Sequence, residues 1–267
     1  MGKRVVLTLT LLALLAYAGA VLVAYSFQRQ LLYWPNRTIT LDAPGYTRLA
    51  IKTEDGISLV GWYAPPTTLS ITILFFHGNA GSPLLPGRLD KIATYRDLGY
   101  GIYIASYRGW NGNPGTPSEE GLYADARAAV MALKQQGVLP QNIIVNGESL
   151  GTGVAIHIAL EFPFKALILE NPYTSIPAVA QNHYKFLPAY WLVKDRFDNL
   201  TKITKITVPT LILSAQNDTT VPPAMGQTLA AANTRWVKSV ILEGAEHNNL
   251  YHYGAFAAVH SFLKSLP

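Results

Sequence analysis

Apolar and polar positions divide the chain into three regimes. From Val5 to Phe27 no charged residue occurs. This run of about 23 positions, at ~1.5 Å per helical residue, suffices to cross a bilayer core. Gln28 to Tyr46 follows without a clear period and carries Tyr33-Trp34-Pro35, which suit a membrane interface or the underside of a folded domain. From Thr47 onward, short apolar runs alternate with amphipathic stretches.

Thr47 to Thr53 and Ile57 to Tyr63 flank Glu54-Asp55-Gly56, an Asp-Gly turn between alternating runs, which predicts an antiparallel hairpin. Ile71 to Phe76, Ile102 to Ser106, the β-branched run from Ile143 to Val145, Ala166 to Leu169, Thr210 to Ser214 and Val237 to Leu242 read as further strands, mostly continuous runs of the kind buried on both faces. Helices are expected from Pro86 to about Gly99, from a Ser118 cap to about Gln136, over Thr152 to Glu161, over Pro223 to Ala232, and over Tyr251 to Leu266. Asn171 to Thr207 loses the strand pattern while holding several aromatics, including Tyr173, Tyr184, Phe186, Tyr190 and Trp191. The alternation predicts an α/β fold, a mostly parallel sheet of about eight strands covered by helices on both faces, with ligands at the carboxyl ends of the strands.

The strand Ile143 to Val145 runs into Gly147-Glu148-Ser149-Leu150-Gly151 and then into a helix. A serine in Gly-x-Ser-x-Gly at such a junction sits on a cramped turn with its hydroxyl projecting, and the helix behind it favours developing negative charge. His77-Gly78-Asn79-Ala80-Gly81 is a glycine-rich loop at another strand end; no Gly-Lys-Ser/Thr follows it, which argues against a nucleotide.

A serine hydroxyl needs a histidine to take its proton, and the histidine needs a carboxylate to fix its tautomer. Of six histidines, His247 stands out in the polar loop after the last strand. His157 reads as core or surface, His183 lies in the insert, His252 and His260 fall on the last helix, and His77 braces the glycine loop. Asp218 lies just past the Thr210 strand, with Glu170, Asp195 and Asp198 as weaker acids. Ser149, Asp218, His247 is the chain order of one known triad arrangement.

Composition narrows the choices. The 267 residues, 49% hydrophobic and 14% charged, allow one large core. There is no cysteine, so disulfides, thiolate metal sites and a cysteine nucleophile are excluded. The net charge of +5 comes from scattered residues, without the basic stripe of a nucleic-acid binder, and suits anionic lipid headgroups better. Lys3 and Arg4 precede the apolar run, which predicts an uncleaved signal anchor over 1–27 with its amino end in the cytoplasm and the domain on the periplasmic, lumenal or extracellular side. Ala18-Gly19-Ala20 has the small-residue character of a cleavage site, but Val21 to Tyr25 carries the apolar run beyond it.

From about Leu31 to the end the chain resembles the α/β-hydrolase superfamily. His77-Gly78-Asn79-Ala80-Gly81, Tyr107-Arg108-Gly109 and Pro117-Ser118-Glu119-Glu120-Gly121-Leu122-Tyr123 look like its membrane-anchored serine hydrolase branch, close to palmitoyl-protein thioesterase-like and prolyl-oligopeptidase-like proteins. The resemblance implies Ser149 as nucleophile, Asp218 as acid and His247 as base, with an oxyanion hole from the N–H groups of Leu150 and Asn79. It implies no metal and no cofactor. Ser106 departs from the acidic residue many relatives carry before Tyr-Arg-Gly, which puts a loop contact in doubt.

The expected organisation is an anchor (1–27), a connector (28–46) and a hydrolase domain (47–267) with a lid insert at 171–207. The expected activity is cleavage of carboxylic ester or thioester bonds in small-molecule acyl substrates near a membrane, with the insert's aromatics either lining an acyl pocket or forming the ordinary core of a lid. Competing readings are a peptidase or amidase of the same fold, and a non-catalytic binding protein that kept it.

Overall fold

The computed structural model describes residues 2–36, 38 and 43–266; residues 37 and 39–42 of the expected connector, and the two end residues, lie outside it. Helix α1 (Gly2–Leu32) has no buried residue and is long and apolar enough to cross a membrane. It continues past the uncharged run because its last turns have polar partners in the insert: Arg29 forms a two-pronged ion pair with Asp195 at 2.8 and 3.0 Å, and Gln28 accepts from the Lys194 N–H at 2.7 Å.

Strands β1 (Thr47–Lys52) and β2 (Ser58–Ala64) form the expected hairpin, its turn eased by Gly56 at φ 85°. Then come β3 (Thr72–Phe76), α2 (Pro86–Asp97), β4 (Gly101–Ile104), α3 (Glu119–Gln135), β5 (Ile143–Glu148), α4 (Leu150–Ile158) and β6 (Ala166–Glu170). The insert holds three short helices, α5 (Ile176–His183), α6 (Ala189–Leu192) and α7 (Asn199–Ile203). After it come β7 (Thr210–Ala215), α8 (Pro223–Ala232), β8 (Val237–Leu242) and α9 (Ala255–Lys264). The eight strands form one sheet in the order β1-β2-β4-β3-β5-β6-β7-β8, in which β2 pairs antiparallel with both neighbours and the other pairs are parallel.

Alternation along the strands divides the core. Leu74, Phe76, Val145, Leu167 and Leu169 pack with α3 and α4, whereas Ile73, Phe75, Ile144 and Ile168 pack with α2 and α9. Both faces are apolar because both are covered, which is why these strands read as unbroken runs. Two helix bounds differ from the sequence reading. Helix α4 starts at Leu150, directly behind Ser149, and α9 is preceded by a separate 3₁₀ turn (Leu250–Tyr253) because Gly254 is left-handed at φ 93°. His252 therefore sits in that turn and not on the helix.

Where an acidic residue was missing at Ser106, other carboxylates serve the neighbouring arginine. The Arg108 guanidinium meets Asp125 at 2.7 and 2.9 Å and Asp55 at 2.6 and 3.1 Å, and the Arg108 N–H also donates to Asp125. This pins the loop after β4 to α3 and to the β1–β2 turn. Asp125 is fully enclosed, and burial raises its pKa against the pull of Arg108. Arg108→Leu is expected to cost about 3–5 kcal/mol, because it strands a buried carboxylate. Chemical denaturation measures this, and a loss under about 1 kcal/mol would mean that Asp125 is already protonated or hydrated in the fold.

Candidate active site

Parallel strands bring their carboxyl ends to one edge, and the sequence-predicted residues meet there. Ser149 follows β5, Asp218 follows β7 and His247 follows β8. His247 Nδ1–H donates to Asp218 Oδ2 at 2.6 Å, and its Nε2 lies 3.1 Å from Ser149 Oγ. Asp218 is 1% exposed in its side chain and His247 16%, so the carboxylate is shielded while the imidazole reaches the surface. The other Asp218 oxygen accepts from the N–H groups of Thr220 and Val221, both at 2.8 Å, which fixes the carboxylate's direction. An acceptor on one side and a hydroxyl on the other select the imidazole tautomer with a free Nε2 lone pair.

Ser149 adopts φ 49°, ψ −114°, a region that ordinarily costs roughly 1–3 kcal/mol for a residue with a side chain. The turn is held by the Ser149 N–H donating to Glu170 O at 2.8 Å. The two glycines of the motif are required by contact. A Cβ on Gly151 would strike the carbonyl oxygens of Phe76 and His77, and one on Gly147 would lie 2.6 Å from Gly151 O.

The glycine loop after β3 faces this turn. Among the described residues, neither the Asn79 nor the Leu150 N–H has a hydrogen-bond acceptor, and Leu150 opens α4, where the helix dipole adds to the donor. The Asn79 side chain is committed elsewhere: Oδ1 accepts from the Trp34 N–H at 3.0 Å and Nδ2 donates to Leu32 O at 2.5 Å, while its carbonyl accepts from Trp110 Nε1 at 2.8 Å. His77 is enclosed against Tyr107 and Trp110 and its Nδ1–H donates to Gly78 O at 2.7 Å. Burial, helped by the nearby Arg88 charge, pushes the imidazole pKa down from 6.5 to about 3, so the ring is neutral.

Residues that the sequence reading passed over complete the frame. Arg88 on α2 clasps Glu148 at 2.6 Å and donates to the carbonyls of Ala80 and Ser82, joining the residue before Ser149 to the glycine loop. Lys91 lies between Glu148 at 3.0 Å and Glu170 at 2.8 Å. Burial alone would raise the Glu148 pKa, but the Lys91 and Arg88 cations hold it far below the usual carboxylate range. Asn171, at φ 49°, accepts from the Ala215 N–H and donates to His247 O at 2.8 Å, tying three strand ends together. An asparagine just past a strand, able to take a left-handed conformation, was the available signal for it.

The other candidates are occupied elsewhere. Glu170 bonds Lys91, Asn146 and Tyr251; Asp195 pairs with Arg29; Asp198 caps α7. His157 stacks on Tyr123, and His183 bonds Thr220 O. Of the insert's aromatics, Tyr184 lines a groove against α1, whereas Phe186 and Trp191 are 91% and 82% exposed. Among the described residues no cluster of metal-ligating side chains occurs.

No family model matches the chain. It is 35% identical over 253 residues to an uncharacterized protein of Mycobacterium tuberculosis, covering 92% of this chain and 89% of that one. It is 36% identical over 216 residues to the lysophosphatidylserine lipase ABHD12 of Danio rerio, covering 67% of this chain and 56% of that one. With human alpha/beta hydrolase domain-containing protein 17B it shares 34% over 188 residues, 69% of this chain and 63% of that one. The chain thus spans less than two thirds of each of the last two. Among solved structures, a Pyrococcus furiosus esterase superposes with a TM-score of 0.71 at 21% identity over 88% of this chain and 98% of that one.

Gly151→Ala is expected to destabilise the fold by about 1–3 kcal/mol, because rigid backbone carbonyls block the new methyl group. Thermal unfolding beside wild type measures this, and an unchanged midpoint would contradict the contact. Because His77 is neutral when folded and protonates near 6.5 when unfolded, its contribution is complete above pH 6.5 and drains away as pH falls toward 3. His77→Phe should therefore flatten the fall in stability between pH 7 and 5. An unaltered slope in urea titrations would mean that the ring titrates equally in both states.

Proposed function

The chain belongs to the α/β-hydrolase superfamily, and from that membership we propose that it is a serine hydrolase of carboxylic ester or thioester bonds in lipid-like acyl substrates. The observation that carries the reading is His247, bridging Ser149 Oγ at 3.1 Å and Asp218 Oδ2 at 2.6 Å beside two unbonded N–H groups.

Ser149 Oγ attacks the carbonyl carbon while His247 Nε2 accepts its proton. The carbonyl oxygen gains the charge and takes the N–H groups of Leu150 and Asn79, each such donor being worth ~3 kcal/mol of barrier in serine hydrolases. The tetrahedral species collapses, the bond to the leaving alcohol or thiol breaks, and the imidazolium returns the proton to it. Water, deprotonated by His247, then attacks the acyl-serine; the acid leaves and Ser149 regains its proton. Asp218 stays ionised throughout and stabilises the imidazolium.

The acyl preference draws on the Danio rerio relative's name, lysophosphatidylserine lipase, and on the apolar α1 beside the site. In this reading 1–27 is a signal anchor with Lys3 and Arg4 in the cytoplasm, 28–46 a connector, and 47–267 a hydrolase domain on the far side of the membrane with 171–207 as its lid.

Detergent-solubilised wild type is expected to react with a fluorophosphonate probe and to turn over p-nitrophenyl esters. Ser149→Ala should lose labelling and at least about a thousandfold of turnover while unfolding like wild type. Equal turnover in Ser149→Ala would refute the nucleophile, and a folded wild type that neither labels nor hydrolyses would favour a binding protein.

A further inference from the structure

A groove of about 380 Å³ lies between the last turns of α1 and the insert, within the range of small-ligand sites. Ala24, Leu31 and Leu32 line it from the helix, and Val179, Leu187 and Val193 from the insert. Its charged, amide and imidazole side chains from α1 and the insert are engaged: Arg29 with Asp195, Gln28 with the backbone of Leu192 and Lys194, and His183 with Thr220 O. What remains is a mainly apolar cleft.

Two ends give the groove a direction. At the inner end its lining includes Asn79, from the glycine loop that packs on Glu148 and Gly151, and Thr220, whose N–H holds Asp218. At the outer end Tyr184 and Leu187 line it, and Phe186 between them stands 91% exposed. Tyr17 Oη donates to Phe186 O at 2.9 Å. Tyr17 lies twelve residues before Arg29, so the insert's tip is fixed roughly 18 Å along α1 from the Arg29–Asp195 pair, beside the apolar run. Lys194 caps the ring of Tyr25 at 4.1 Å, between those two levels. Tyr17 lies ten residues inside the uncharged run that ends at Phe27, so an exposed Phe186 at its level stands against acyl chains, a contact that a phenyl ring favours over water.

We propose that this groove is the acyl-chain site, that α1 is one of its walls, and that the chain slides in sideways from the bilayer past Phe186. The proposal rests on the hydrolase reading above. It makes the anchor a specificity element and not only a tether. Ala24 is small where the groove runs beside the helix, so its side chain governs how far a chain can thread.

The test uses the full chain in lipid nanodiscs. Ala24→Trp and, from the opposite wall, Val179→Trp are expected to lower the ratio of kcat/KM for palmitate over butyrate esters about tenfold or more, equivalent to roughly two buried methylenes. Leu22→Trp, on the lipid side of the same helix, should leave the ratio unchanged. To keep the test independent of how a variant folds, wild type is also labelled with a long-chain fluorophosphonate carrying a photoreactive chain end. Crosslinks should map to residues 17–32 and 176–193. A wild-type chain-length profile in both tryptophan variants, or crosslinks confined to other segments, would overturn the groove while leaving the hydrolase reading intact. A wild type inert to the probe and to every ester would instead remove the hydrolase reading, and the groove with it.

Discussion

A side chain held at φ 49°, ψ −114° is the constraint to which the rest of the molecule answers. Ser149 can occupy that conformation only while β5, β6 and α4 are fixed around it, since its N–H bonds Glu170 O and its carbonyl accepts from Thr152. The close approach of Gly151 to the carbonyls of Phe76 and His77 presses α4 against the end of β3. One cramped residue thereby sets the distance between the serine turn and the glycine loop. The cost of the strain is offset by packing that the sheet provides in any case.

Charge does the remaining positioning. Arg88 and Lys91 face Glu148 and Glu170 in a largely enclosed cluster directly behind the serine turn. Such a cluster is weak as a source of stability, because desolvation consumes most of the Coulomb attraction. Its value here is directional. Arg88 has enough fixed donors to hold a carboxylate on the serine side and two carbonyls on the loop side at once, which a lysine's single ammonium cannot do with the same geometry.

Much of the fold was legible in sequence because it follows local rules. Strand periods, the Asp55-Gly56 turn, the Ser118 cap and the glycines around Ser149 each depend on a few neighbouring residues. Ser149, Asp218 and His247 could be picked out because a parallel sheet gathers its strand ends whatever the strand order. The contacts that frame the site were not legible. Asn79 meets Leu32 and Trp34 across more than forty positions, and Arg29 meets Asp195 across 166. No period or motif encodes such pairings. The insert's aromatics could not be sorted for a related reason: composition does not separate Tyr184, which lines the groove against α1, from Phe186 and Trp191, which the path of α5 and α6 turns outward.

The bonds of Asn79 also change what the amino-terminal helix is for. Its side chain takes the Leu32 carbonyl and the Trp34 N–H as α1 ends, while its main chain belongs to the glycine loop that packs on Glu148 and Gly151. Pro35 then pairs with Gly81 at the far end of the same loop, and the Asn111 N–H donates to Asn36 O. The chain leaving α1 is thus stitched along the glycine loop like an added strand. Any tilt of α1 that reaches Leu32 is felt at Asn79 before it is felt in the sheet, because the loop has fewer packed neighbours than the strands behind it. A helix that only tethered a finished domain would need no such bonds, so the fold couples the position of α1 to the glycine loop beside Ser149.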